Sequence, residues 1–164
     1  DYNRKQADGP VAREAVDLVD LVENVVAAHS LPARAKLMHT ELTLQARRCL
    51  AEPALLISVM DNLYSNAVHY GAESGNIRIH SYRHGEQVRI DVANSGEPIP
   101  AAEKNMIFEP FYQGSHQRKG AVKGSGLGLS IARDCVRQMQ GELSLVDAPA
   151  GQVCFRITLP SAPE

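Results

Sequence analysis

Cysteine is scarce in this sequence and poorly placed for chemistry. Cys49, Cys135 and Cys154 are far apart, odd in number and lack any CxxC or Cys/His spacing, which argues against a metal site. They are expected to be reduced core or surface thiols. Charge of one sign is also lacking: the formal net charge is −2 and the pI is near 6.3. Without a basic field, neither nucleic acid nor an anionic membrane is the expected partner. Long apolar runs are missing too, since nothing approaches the roughly 18 to 20 residues of a membrane span. The polar start Asp1-Tyr2-Asn3-Arg4-Lys5 does not resemble a signal peptide. The chain is expected to be soluble and cytoplasmic. An opening Asp in place of Met suggests a piece of a longer protein, about whose location these residues say nothing.

What is present is enough for one domain: 164 residues, 44% of them apolar. Residues 1–14 read as a linker or the tail of an upstream helix, punctuated by Gly9-Pro10, and residues 15–164 as the domain. Leu18, Leu21, Val22, Val25 and Val26 recur at helical spacing over Val16 to Ala28, and Leu31-Pro32 is expected to end that run. Leu42 to Leu44 is a short strand candidate. Pro53 followed by Leu55 to Tyr70 predicts a stronger helix, with proline in its first turn. Ile77 and Ile79, then Val88, Ile90 and Val92, alternate on either side of His84-Gly85-Glu86, the pattern of an antiparallel hairpin. Residues 97–125 form a Gly- and Pro-rich stretch of lid-like length. A helix through Leu129 to Met139, stopped at Gly141, and two alternating strands around Ala148 to Gly151, one with Leu143 and Leu145 and one with Val153, Phe155, Ile157 and Leu159, complete the chain. The expected class is α+β: a two-layer α/β sandwich, its sheet mixed and mostly antiparallel, its helices on one face.

Three stretches carry chemistry. In the first, at 100° per residue, Asn62, Asn66, His69 and Tyr70 share one stripe of the predicted helix beside the apolar stripe of Leu56, Val59, Met60, Leu63 and Ala67. Amides one turn apart at a core edge can offer oxygens to Mg²⁺, which takes few protein ligands and completes its shell with water and phosphate. His69 and Tyr70 could then meet phosphate and a planar base. Alone, the stretch is better described as a surface amide pair with a core-edge His and Tyr. In the second, a strand ends in Asn94-Ser95-Gly96-Glu97-Pro98-Ile99, where glycine admits close backbone approach and Asn94 offers an acceptor to an exocyclic amine. An ordinary strand-ending turn would look the same. In the third, Gly124-Ser125-Gly126-Leu127-Gly128-Leu129 opens a helix, so that backbone N–H groups can converge on an anion. It is neither a Walker A motif nor a dinucleotide fingerprint.

Taken in order, these stretches resemble the boxes of the histidine kinases. Asn62 to Tyr70 is similar to the N box, Asn94 to Ile99 to the G1 box, Ile107 to Tyr112 to the F box and Gly124 to Leu129 to the G2 box. The wording of Asn94 to Pro100 and of Ile107 to Gly114 resembles the QseE/GlrK group of bacterial sensor kinases. The resemblance implies the Bergerat fold of the GHKL superfamily, with an ATP lid, and the substrate and cofactor ATP and Mg²⁺. It makes Asn66 the principal Mg²⁺ ligand with Asn62 assisting, sets His69 near phosphate, and lays Tyr70 against adenine. Asn94 stands where an adenine-reading aspartate is usual, with Gly96 and Ile99 beside it. Phe108, Phe111 and Tyr112 would anchor the lid, and Gly124, Ser125, Gly126, Leu127, Gly128 and Leu129 would hold the triphosphate. Gln113 replaces a common arginine, so γ-phosphate neutralisation falls to Lys123, Arg118 or Lys119, of which Lys123 is taken as catalytic alongside Asn62 and Asn66.

The superfamily divides on what receives the γ-phosphate. In its ATPase branch the position of Asn62 resembles a water-activating glutamate; an amide cannot be a general base, and Asp61 points about 100° away. Transfer to a histidine on the dimerisation helix is therefore expected, within a homodimer and for relay to a response regulator's receiver domain, as the cytoplasmic part of an inner-membrane sensor kinase. None of His29, His39, His69, His80, His84 and His116 has the acceptor's context, and all but His69 are read as solvated surface residues. The stretch is thus expected to bind MgATP without phosphorylating itself. The alternatives are an ATP-binding interaction module that transfers nothing and a serine kinase of the anti-sigma type.

Overall fold

The computed structural model describes residues 11–110, residue 112 and residues 128–163. The chain begins with β1 (Glu14–Asp17), α1 (Leu18–Ala28), α2 (Ser30–Ala35), β2 (His39–Leu44) and β3 (Arg48–Ala51). There follow α3 (Pro53–Tyr70), β4 (Asn76–His84), β5 (Gln87–Ser95), a 3-10 turn at Ala101–Glu103, α4 (Gly128–Gln138), β6 (Glu142–Val146) and β7 (Gln152–Pro160).

Five strands form one sheet in the order β2-β4-β5-β7-β6. Among the described residues its only parallel pair is β2 with β4, His39 standing opposite Asn76, because the chain reaches β4 through β3 and α3; the hairpins β4-β5 and β6-β7 and the pair β5-β7 are antiparallel. Along β5 and through most of β4 burial alternates residue by residue, so Ile77, Ile79, Val88, Ile90 and Val92 face the helices while Arg78, Arg89 and Asp91 stay on the wetter side. That period of two is what one covered face and one open face require. α3 buries Leu55, Leu56, Val59, Met60, Leu63, Tyr64, Ala67 and Val68. At roughly 1.5–3 kcal/mol for each large apolar side chain, this helix is the main anchor of the helical layer. The expected two-layer α+β sandwich with a mixed sheet and helices on one face is what is found.

The first 50 residues differ from the sequence expectation in two places, at Val16 and at Pro32. Val16 lies in a strand, since β1 pairs antiparallel with β3 as a separate two-stranded sheet, Val16 opposite Cys49. The helix starts after it, with Asp17 as N-cap accepting from the N–H groups of Val19 and Asp20. Pro32 does not end helical structure but sits in the first turn of α2, where a missing N–H costs nothing. At the other end, the left-handed residue that terminates α4 is Gln140 (φ 68°), not Gly141. Gly141 is needed for a different reason: a Cβ there would collide with the Thr158 carbonyl. The three thiols are free and buried, and desolvation pushes Cys49 up to about 12 and Cys154 up to about 11, so both stay protonated at neutral pH. Among the described residues no helix is long and apolar enough to cross a membrane.

Candidate functional site

The three motif-bearing elements meet at one end of the sheet. α3 brings Asn62, Asn66, His69 and Tyr70 to a single half-buried edge, as their helical spacing requires. A cleft beside that edge is lined by Asn66 and Tyr70 from α3, Asn94 from β5, Glu97 and Ile99 after it, Ile107, Leu129 from α4, and Val153 and Phe155 from β7. Roomier hollows elsewhere, one beside Arg47, Arg48 and Arg83 and one between α1 and α3, contain none of the candidate ligand-binding residues.

At its strand end the cleft is built by backbone. Asn94 is buried on the helix-facing side of β5 and stands in register with Ile77 and Val153. Its Nδ2 donates to the Ser95 carbonyl at 3.0 Å, which leaves Oδ1 as the acceptor. The chain then turns at Gly96, whose φ of 156° is outside the range side chains favour. A Cβ on Gly96 would press on the Tyr70 carbonyl and the Asn94 amide at 3.1 and 3.2 Å, and its N–H donates to Gly151 at 2.9 Å. Burial pushes the Tyr70 phenol up, which keeps it a neutral, aromatic wall.

The other end is set by two helices. A Cβ on Gly128 would come within 3.3 Å of Asn62 Oδ1, so the Asn62 amide oxygen lies against the first residue of α4. That is where a helix N-terminus favours negative charge. Oxygen-bearing amides at i and i+4, beside an anion-favouring helix start, are a donor set that fits Mg²⁺ carried on a phosphate chain.

The remaining candidates fall around this centre. His69 lies outside the cleft lining, its ring edge-on to Tyr70 with centroids 4.3 Å apart. Phe108 packs edge-on against Phe155 at 6.0 Å, with the Arg133 guanidinium 4.7 Å over its ring, and the Tyr112 hydroxyl donates to the Glu103 carboxylate. Phe111, Lys123, Gly124, Ser125, Gly126 and Leu127 lie outside the described residues, as do Gln113, His116, Arg118 and Lys119. Sequence reasoning missed Glu97, Ile107, Val153 and Phe155 as cleft residues. Alternation marked Val153 and Phe155 as inward-facing, but only the β5-β7 register, with Val153 opposite Asn94 and Phe155 opposite Val92, puts them under the site.

Two further side chains correct expectations. His29 is half-buried and partnered at the surface: its Nε2 lies 2.6 Å from the Asp61 carboxylate and its ring 5.9 Å from that of Tyr64. Asp61 is thereby held away from the cleft. His80 is likewise packed, its ring 4.6 Å from Tyr82.

Comparison with known proteins agrees with this geometry. Residues 51–163 match the family described as histidine kinase-, DNA gyrase B-, and HSP90-like ATPase. The chain is 72% identical over 162 residues to sensor histidine kinase GlrK of Escherichia coli K12 and 71% identical over 162 residues to sensor histidine kinase QseE of Escherichia coli O157:H7. Each comparison covers 99% of this chain but 34% of the relative, so the chain spans about a third of their length. The catalytic domain of histidine kinase ThkA superposes with a TM-score of 0.79 at 28% identity, over 93% of this chain and 98% of that one. ThkA in complex with response regulator protein TrrA superposes with a TM-score of 0.75 at 27% identity, over 92% of this chain and 42% of that one. The chain therefore belongs to the histidine kinase-, DNA gyrase B- and HSP90-like ATPases, as an ATP-binding catalytic domain of the sensor histidine kinase kind.

Proposed function

We propose that this domain binds MgATP in the cleft between α3, β5 and α4 and gives the γ-phosphate to a histidine on the dimerisation helices of a two-component sensor kinase. The observation that carries this reading is the convergence of Asn66, Tyr70, Asn94, Ile99 and Leu129 on one cleft, with the Asn62 oxygen against Gly128. Asn94 accepts from the adenine amine and Tyr70 walls the base. Asn66, assisted by Asn62, holds Mg²⁺, which supplies charge neutralisation of the phosphates. The N-terminus of α4 and the Gly124 to Gly128 segment receive the triphosphate, with Lys123 at the γ end.

Transfer, rather than hydrolysis, is favoured by what flanks the phosphate end. Asn62 cannot accept a proton from water, and the adjacent carboxylate on the same helix, Asp61, is 2.6 Å from His29 on another side of the helix. With neither Asn62 nor Asp61 placed to serve water as a base, catalysis rests on positioning ATP for a nucleophile brought by other helices. A receiver domain of a response regulator would then take the phosphate, as the ThkA complex with TrrA suggests. In the whole protein the domain would work on the cytoplasmic side of a membrane-bound homodimer.

The test is to mix the purified chain with separately prepared dimerisation helices carrying the acceptor histidine and γ-labelled ATP. Acid-labile label should appear on the helices, and none on the chain alone. Nucleotide binding without any transfer would favour an ATP-binding interaction module; label on a serine of another protein would favour a serine kinase.

A further inference from the structure

The last turn of α3 ends in carbonyls that no helical N–H can reach, because every α-helix leaves its final C=O groups without internal partners. Here the Gly71 N–H donates to the Ala67 carbonyl, and two of the others, with the carbonyl of the capping Gly71, are met by one side chain. Lys36, just past α2, sends its Nζ to the carbonyls of Val68 at 2.9 Å, His69 at 2.9 Å and Gly71 at 2.7 Å. An ammonium has three donors, and all of them are used. Its charge also sits where the helix dipole is negative.

The same short segment grips the turn that follows. The Lys36 carbonyl accepts from Ser74 N–H at 2.8 Å, and His39 N–H donates to the Gly75 carbonyl at 3.0 Å. The Met38 side chain fills the space where a Cβ on Gly71 would be. From that turn, contacts run directly into the strand end that carries Asn94. Ala72 N–H donates to the Ser95 carbonyl at 2.8 Å, Asn76 N–H donates to Ser95 Oγ at 2.9 Å, and Gly75 is pressed so close to that hydroxyl that no Cβ would fit. Gly96 then closes on the Tyr70 carbonyl. Tyr70 and Asn94, from elements far apart in sequence, are thus held in register through the turn that Lys36 clamps. Lys36 itself lies outside residues 51–163, the part that carries the family match.

We propose that Lys36 is a positioning residue for the base end of the nucleotide cleft, fixing the end of α3 against the Ser95-Gly96 corner so that Tyr70 and Asn94 meet the same base. It touches no ligand atom; it acts through the carbonyls of Val68, His69 and Gly71. The inference rests on the ATP-site reading above.

The test uses the chain with Lys36→Met, which keeps the stem and removes the charge, Lys36→Arg, which keeps donors and charge, and Lys36→Gln, which keeps an amide. Circular dichroism establishes that each is folded at the temperature of measurement. Displacement of a fluorescent ATP analogue by ADP and by GDP is then measured with Mg²⁺ and with EDTA. Lys36→Met and Lys36→Gln should weaken ADP about tenfold, the scale of hydrogen bonds to a charged group. GDP should weaken less, so that the preference for adenine shrinks, and the factor should be the same with and without Mg²⁺. Lys36→Arg should recover most of the loss. Folded Lys36→Met or Lys36→Gln protein with unchanged ADP affinity, an unchanged ADP-to-GDP preference, or a defect present only with Mg²⁺ would each overturn the proposal. Should Lys36→Met not fold, Lys36→Gln decides by the same criteria; should neither fold, Lys36→Arg decides, since an unaltered clamp demands near-native ADP affinity and preference there. If the unaltered chain binds no nucleotide, the ATP-site reading falls and this inference with it; if it binds and the variants do not differ, this inference alone falls.

Discussion

The two long sides of α3 are chemically alike in sequence and opposite in use. On the cleft side, Asn62, Asn66 and Tyr70 are half-buried polar groups turned toward Gly128, Leu129 and Asn94. On the far side and at the end of the helix, polar groups are taken up by other parts of the protein: the exposed Asp61 by His29, the Tyr64 hydroxyl by Thr40 Oγ1 at 2.6 Å, and the carbonyls of Val68 and His69 by Lys36. One side is left able to bind something from outside, and the other fixes the helix that presents it. The difference shows why composition of a motif does not assign its function. Asn62 and the adjacent Asp61 carry similar oxygens, and only their direction around the helix sets one against Gly128 and the other against His29.

The strongest way to break this comparison is Asn66→Ala. If the cleft side binds metal and phosphate, Mg²⁺-dependent ATP affinity should fall roughly a hundredfold or more, since even outer-shell changes at metal sites cost 10 to 100-fold. Equilibrium binding with and without Mg²⁺ measures this, and melting should change little because Asn66 contributes little to the core. Asn62→Ala should be milder, about tenfold in the Mg²⁺-dependent part, as befits an assisting ligand. An equal loss for both, or none for either, would erase the assigned division of labour. On the far side the signature should invert. Tyr64→Phe removes a buried hydrogen bond and leaves Thr40 short of a partner, at a cost of about 1 kcal/mol in chemical denaturation. Its nucleotide affinity should stay within about twofold of the unaltered chain, a difference well below 1 kcal/mol.

Much of this helix was legible in the sequence, because a period of 3.6 residues fixes which side chains share an edge. The sheet's alternation in Ile77, Ile79, Val88, Ile90 and Val92 was legible for the same reason. What the sequence could not supply was pairing between distant segments. The short strands β1 and β3 have only four residues each and no clear alternation, and they exist because they pair with each other. Val153 and Phe155 read as core until the β5-β7 register set them beneath Asn94. Lys36 carries no motif at all. Its meaning comes from the end of a helix more than thirty positions away, with |i−j| of 32 to Val68 and 35 to Gly71. His29 was misjudged similarly, since its partner Asp61 stands 32 positions along the chain.

The smallest expected effect is also the one that most sharply tests the direction of Asp61. Its side chain is 53% exposed and that of His29 21%, so the contact is largely a surface pair, screened by water and salt. Asp61→Asn should therefore cost no more than about 0.5 kcal/mol of stability, and less at high ionic strength. Nucleotide affinity, and whatever ATP hydrolysis the isolated chain is found to carry out, should not change, because the carboxylate faces His29 and not Gly128. If Asp61→Asn instead lowered hydrolysis, a base would be reaching water from the far side of α3. The separation of the two sides would then fail at the residue next to Asn62, and the case for transfer over hydrolysis would lose its physical ground.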